Sequence, residues 1–194
     1  MKLSDVHLQE RLAVGDLRII PPVPRAHFGS FSVDLRLAHQ FRVFKRTQYP
    51  FIDLGSLEGS SFSMSEDVME EIEIDEGGAF YLHPGELALG VTVERITVPD
   101  DLVGWLDGRS SLARLGLMIH ITAHTIDPGW DGRITLEFAN IGRFPLALRP
   151  GMRICAVSFE PLSGPTSKPY RVKQGAKYWG QDSPLSSRID KDRE

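Results

Sequence analysis

Between Phe31 and Phe44 the chain reads FSVDLRLAHQFRVF, with Phe31, Val33, Leu35 and Leu37 on one side and Ser32, Asp34 and Arg36 on the other. That period of two predicts a half-buried strand, with Asp34 and Arg36 on its solvated face. MEEIEIDEG (69–77) repeats the pattern, Ile72 and Ile74 alternating with Glu71, Glu73 and Asp75. Its acidic run therefore reads as the wet side of a strand rather than as a metal site. From residue 79 onward similar stretches recur: AFYLHPGELALGVTVERITVP, ITLEFANIG and PLALRPGMRICAVSFEPL, punctuated by HPGE, PDD, DPGWDG, NIG and RPGM. Short strands at this spacing, with little helix between them, predict a mainly β chain folded as an antiparallel sandwich or barrel.

Helical patterning is confined to two places. DVHLQERLAV (5–14) predicts a short helix with Ser4 or Asp5 as N-cap and Gly15 as its stop, after which IIPPVP breaks regular structure. SSLARLG (110–116) predicts one compact helical turn, capped by Ser110 or Ser111 and ended by Gly116. Residues 45–70, rich in Gly and Ser, read as a surface loop or flap. The tail from Ser163 is polar, yet it carries Tyr170, Lys173, Lys177, Tyr178 and Trp179 before the charged end RIDKDRE, more than a solvating tail needs.

Composition narrows the class without naming it. At 194 residues, 41% apolar and 25% charged, the chain is long enough for one substantial core and looks like an ordinary soluble protein. No window approaches the roughly 20 apolar residues that span a bilayer, and the amphipathic, acidic N-terminus is unlike a signal peptide. Cys155, the single cysteine, can form no internal disulfide, so a cytoplasmic location is expected. With 22 basic and 26 acidic residues the net charge is −4, which argues against a general nucleic-acid binder. A polyanionic ligand must then meet a local cluster of cations, together with a metal ion.

The candidate chemistry lies between Asp101 and Phe138. Gly108-Arg109-Ser110-Ser111 offers a guanidinium, two hydroxyls and a flexible backbone at a helix start, groups that bind phosphate oxygens; the same residues also describe a capped helix with surface arginines. Glu137 stands between Leu136 and Phe138 in ITLEF, where a carboxylate is costly without a task or a partner. It is either half of an ion pair or, facing a pocket, a group placed to move protons. His120 and His124 have a spacing of four, but the β-rich segment around them is expected to be extended and to separate the rings. With one cysteine and no P-C-x-x-C, a catalytic zinc site is not expected.

GRSSLARLGL followed by HITAHTIDPGWDGRITLEF strongly resembles the dCTP deaminases of the trimeric dUTPase superfamily. The resemblance extends upstream through FSVDLRL and FYLHPGELALGVTVE and downstream through LALRPGMRICAVSFEPLSGP and AKYWGQ. It implies a distorted antiparallel β-barrel, jelly-roll-like fold of the dUTPase type. It implies a single domain over 1–194, with 163–194 as a C-terminal lid, and a homotrimer with sites between subunits. The implied activity is zinc-independent hydrolysis of dCTP to dUTP and ammonia, feeding dUMP and dTTP synthesis, with Mg²⁺ carried by the triphosphate and neither nucleic acid nor membrane as partner.

Carried over by motif, Glu137 is the proton shuttle. Ser110 and the carbonyl of Ala123 hold the attacking water, and Arg114 stabilises that centre. Arg109, Ser110, Ser111, Leu112, Ala113 and Arg114 supply nucleotide contacts, Asp127 lies near the deoxyribose, and Thr135, Leu136 and Glu137 line the base. Tyr170, Lys177 and Gln181 match tail positions that close on the triphosphate. A bifunctional relative that also hydrolyses dUTP, or a non-catalytic nucleotide sensor on the same scaffold, is the alternative. The loop IDPGWDG, the tail without a glycine run, and His124 before IDPGW favour the deaminase.

Overall fold

The computed structural model describes residues 1–45, 51, 52, 54 and 68–189. Most of the Gly/Ser loop expected over 45–70, and the last residues of the charged end, lie outside the described residues. Helix α1 (Asp5–Val14) stops at Gly15, whose φ of 86° closes the helix with a 3.1 Å bond from its N–H to the Arg11 carbonyl. Leu8 is its buried residue, and Arg11 turns back to pair with both Asp16 and Asp101.

Eleven strands follow among the described residues: β1 (Arg18–Ile20), β2 (Val33–Phe44), β3 (Met69–Glu73), β4 (Phe80–Leu82), β5 (Leu87–Thr97), β6 (Leu102–Gly108), β7 (Leu117–Met118), β8 (Thr125–Ile126), β9 (Asp131–Asn140), β10 (Leu146–Leu148) and β11 (Arg153–Pro161). Nine of them form one antiparallel sheet in the order β7-β9-β5-β2-β11-β6-β8, with β1 on β5 and β3 on β2, and the sheet curls into a half-barrel. β4 and β10 form a separate pair. The expected mainly β, distorted antiparallel fold is what is found. No helix among the described residues is long and apolar enough to cross a membrane.

The hub is β2, which pairs with β11 through Val33–Arg36 and with β5 and β3 farther on. Two ladders on this side of the sheet are irregular: the β2–β5 register shifts between Leu37 and Phe41, and the β5–β9 register between Val91 and Arg95. A bulge leaves ladder groups unpaired, and Thr92 repairs this one. Its hydroxyl donates to the Glu94 carbonyl at 2.7 Å and accepts the Ile134 N–H at 3.0 Å. Phe41, Phe138, Phe159 and Leu136 belong to the core with no exposed surface, and Phe41 stacks on Phe80 at 4.4 Å.

Three local expectations are corrected. The alternation in β2 begins at Val33, and Phe31 is exposed ahead of it. Asp34 and Arg36 are not on a wet face: Arg36 bonds the fully buried Glu94 through Nε at 2.6 Å and its backbone N–H at 2.8 Å, while Asp34 carries two arginines. Side chains from the neighbouring strands β5 and β11 and from Arg109 take up these charges, which a period of two cannot foresee. In helix α2 (Ser110–Ala113) the N-cap is Arg109, not a serine, because the backbone of Ser110 is already helical, and no side chain caps the turn. The C-cap is Arg114 rather than the expected Gly116, which closes the turn that follows, with φ at 94° and its Cα packed so closely on Gly142 that a Cβ would lie 2.4 Å from the Gly142 nitrogen. By contrast β3 behaves as read, with Glu71 and Glu73 exposed and Ile72 half-buried.

Candidate active site

Glu137 lies in the middle of β9, where alternation sends Leu136 and Phe138 into the core and turns the carboxylate to the opposite face. There it lines a cavity of about 560 Å³ walled by β5, β9, the 121–127 segment and the tail. Its Oε2 accepts the Ile121 N–H at 2.9 Å, and its own N–H donates to the Ile119 carbonyl at 3.0 Å. The 119–124 segment is thus pinned across the carboxylate from both sides. Ala123, Asp127, Thr135, Tyr170 and Gln181 line the same cavity, so six of the sequence-predicted residues converge.

The turn Asp127-Pro128-Gly129-Trp130 sets one wall. Proline pre-sets the first central position and Gly129 takes φ of 77° at the second, with the Trp130 N–H returning to the Asp127 carbonyl at 3.2 Å. A Cβ on Gly129 would sit 2.5 Å from Pro169, so glycine also admits the tail. Tyr170 then lies against Trp130 at 5.2 Å, with its N–H on the Pro128 carbonyl at 2.7 Å. Arg171 grips both oxygens of Asp100, and Lys173 reaches Asp127 at 3.1 Å. The Arg171 guanidinium holds the Asp100 carboxyl below the usual carboxylate range.

Farther along, Gln181 docks on β9 as an added rung. Its Nε2 donates to the Arg133 carbonyl at 2.9 Å and to Thr135 Oγ1 at 3.0 Å, and its carbonyl accepts the Arg133 N–H at 2.9 Å. Asp182 and Asp131 share Arg95 at 2.6 Å each. Burial pushes the Asp131 carboxyl up, but Arg95, the Thr97 hydroxyl and Arg18 outweigh it and leave it below its ordinary value.

The remaining expected residues stand elsewhere. Ser110, Ser111, Ala113 and Arg114 are exposed on and after α2, Leu112 is half-buried, and Arg109 turns toward Asp34; none of these lines the cavity. Leu136 is fully buried in the core, so only its backbone can face the site. Lys177 does not line the cavity either, although the neighbouring Tyr178 does. The histidine expectation is corrected: residues 119–124 are bent rather than extended, and the His120 and His124 rings approach to 5.4 Å, with His124 also 5.3 Å from Trp105. Sequence reading missed Ile121, whose backbone N–H holds the carboxylate, and Tyr178; no side-chain pattern marks a backbone donor. Among the described residues no three His, Cys, Asp or Glu side chains converge as metal ligands.

A family model described as dCTP deaminase-like matches residues 2–162. The chain belongs to that family. The dCTP deaminase of Pectobacterium atrosepticum is 57% identical over 193 residues, covering 99% of this chain and all of the relative. The solved 2′-deoxycytidine 5′-triphosphate deaminase from Agrobacterium tumefaciens superposes with a TM-score of 0.62 at 19% identity, over 83% of this chain and 48% of that longer one. A dUTPase of phage 80α, solved as a point mutant, gives 0.50 at 15% identity over 79% and 95%. These two likenesses establish the shared fold. For a dCTP deaminase-like chain the cavity has one conspicuous property: among the described residues two carboxylates, Asp127 and Glu137, line it and no lysine or arginine does.

Proposed function

We propose that the protein hydrolyses dCTP to dUTP and ammonia, in a cytoplasmic setting and as a homotrimer, with Glu137 as the proton shuttle. The observation that carries this is Glu137 itself, aimed into the cavity from an apolar strand and held by Ile121. In the proposed cycle Glu137 takes a proton from a water molecule as its oxygen bonds to C4 of cytosine, and passes that proton to N3. The tetrahedral centre then collapses: its new hydroxyl proton goes to Glu137, the 4-amino group takes it, and ammonia leaves with the C–N electron pair. A positioned acid–base group contributes about 10²–10⁴-fold; orientation and charge stabilisation supply the rest.

A triphosphate needs cations, and among the described residues no lysine or arginine lines the cavity, Lys173 beside it being paired with Asp127. Arg109, Ser110, Ser111 and Arg114 are the missing donors: the two serines and Arg114 are exposed, Arg109 is half-buried against Asp34, and Leu115, Ile141 and Phe144 are exposed apolar residues that follow in the chain. A second copy that covers this apolar surface would bring those donors to its own Glu137 pocket, Ser110 and the Ala123 carbonyl then holding the water and Arg114 facing the reacting centre. Leu112, Ala113 and Leu136 contribute backbone, Thr135 the base wall, and Asp127 the sugar side. Residues 163–194 act as the lid within one domain of 1–194, Tyr170, Lys177 and Gln181 closing over the phosphates. The donor set among the described residues does not fit a resident metal ion. Mg²⁺ is therefore proposed to enter on the triphosphate, and no step is routed through it.

Subunit mixing tests this. Glu137→Gln and Arg114→Ala are each expected to lose at least about 10²-fold in turnover while dCTP still binds Glu137→Gln. Co-refolding them in equal amounts is expected to restore about a quarter of wild-type activity, the share of sites that receive both intact halves in a closed ring. Near-normal turnover by Glu137→Gln alone would remove the shuttle, and no recovery on mixing would remove the shared site.

A further inference from the structure

We propose that Asp34 is a positioning residue that holds the Arg109 guanidinium for the nucleotide, an inference that rests on Arg109 being a substrate ligand as described above. Three adjacent strands meet at this point. Gly108, the last residue of β6, lies opposite Cys155 on β11, and Cys155 lies opposite Leu35 on β2. Asp34 is therefore next to the place where the chain leaves β6 as Arg109. Between Arg153 and Cys155 the β11–β2 register slips, which sets Arg153 at the same corner.

Arg109 is gripped from two directions there. Its Nε lies 3.4 Å from Asp34 Oδ2, and its Nη1 donates to the Arg153 carbonyl at 3.2 Å. Arg153 Nη1 reaches the same Asp34 oxygen at 3.2 Å. Two contacts on one planar group fix its plane as well as its place, and the guanidinium's other Nη donors are left for a ligand.

The neighbouring carboxylate, Glu94, is already committed, since it takes both bonds from Arg36. Among the described residues Asp34 is thus the acid that serves Arg109 and Arg153. The Asp34 side chain is only 19% exposed, and a partly dry carboxylate holds a guanidinium more firmly than a solvated one. A freely rotating arginine loses several rotors when it meets a phosphate; one already held loses fewer. Asp34 thereby acts on nucleotide binding through Arg109, without touching the nucleotide.

The test is a double-mutant cycle read in steady-state kinetics with dCTP and Mg²⁺. Arg109→Ala is expected to raise KM by about 10–100-fold, the range for a lost charge-assisted bond. Asp34→Asn, close in shape, should raise KM about tenfold and leave kcat within about twofold; the preserved kcat reports an intact fold. Asp34→Glu should recover most of the loss. In an Arg109→Ala background Asp34→Asn should add nothing, because the two act as a unit. Additive effects, a loss confined to kcat, or an Asp34→Asn enzyme with unchanged KM beside an impaired Arg109→Ala would overturn the positioning role alone. If Arg109→Ala keeps the wild-type KM, or the wild type does not consume dCTP, the underlying functional reading falls with it.

Discussion

Glu94 has no exposed surface, yet it keeps a carboxylate in the middle of the sheet. Arg36 answers it twice, through Nε and through its backbone N–H. Taking away one member of such a pair leaves a charge with neither water nor partner, a loss of about 3–5 kcal/mol. Arg36→Ala should therefore lower the unfolding free energy by about that amount in urea, and a change below about 1 kcal/mol would show that Glu94 does not depend on it. Residue periodicity placed Arg36 on the wet side because it counts faces, not what folds over them. For Glu137 the same counting succeeded, since Leu136 and Phe138 do enter the core and a charged neighbour must face the other way. The bond from Ile121 was not legible: it comes from a backbone whose position depends on tertiary structure.

At the scale of elements, the strands were readable and the short connections less so. β3 and β9 follow from alternation, and α1 from its cap and stop, whereas the bends at 119–124 do not follow from the β-rich composition of that segment. The tail shows why aromatic and cationic residues past Ser163 were informative: Tyr170, Arg171, Lys173 and Gln181 are residues that fasten it. Arg171 holds the Asp100 carboxyl below the ordinary value of about 3.9. A carboxyl lowered on docking contributes attachment that is fully present above its undocked value and is lost as pH falls through the docked one. Amide exchange over 169–173 should be faster in Asp100→Asn than in the wild type at pH 7. Compared at matched pH, the difference should begin to shrink only below about pH 4 and go on shrinking through the lower docked value, while β9 stays protected; no difference at pH 7 would show that this ion pair does not hold the tail.

On the scale of the whole molecule, one chain presents two incomplete assemblies. One is a cavity with Glu137 and Asp127 but no lysine or arginine among the described residues of its walls; the other is a turn with Ser110 and Arg114 exposed and Arg109 held by Asp34. The sequence brought both into view, because GRSSLAR and ITLEF are 20-odd residues apart, and treated them as one site. Within one chain they do not meet: α2 leads into β7 beside β9, yet none of Arg109–Arg114 lines the cavity that Glu137 faces. The closed ring of copies proposed above would reconcile the two observations. Product analysis tests the proposed deamination most directly: the purified protein is incubated with dCTP and Mg²⁺, nucleotides are separated by anion exchange, and ammonia is assayed in the same sample. The expected products are dUTP and ammonia in equal amounts. Unchanged dCTP, or dUMP with pyrophosphate, would contradict the proposed deamination.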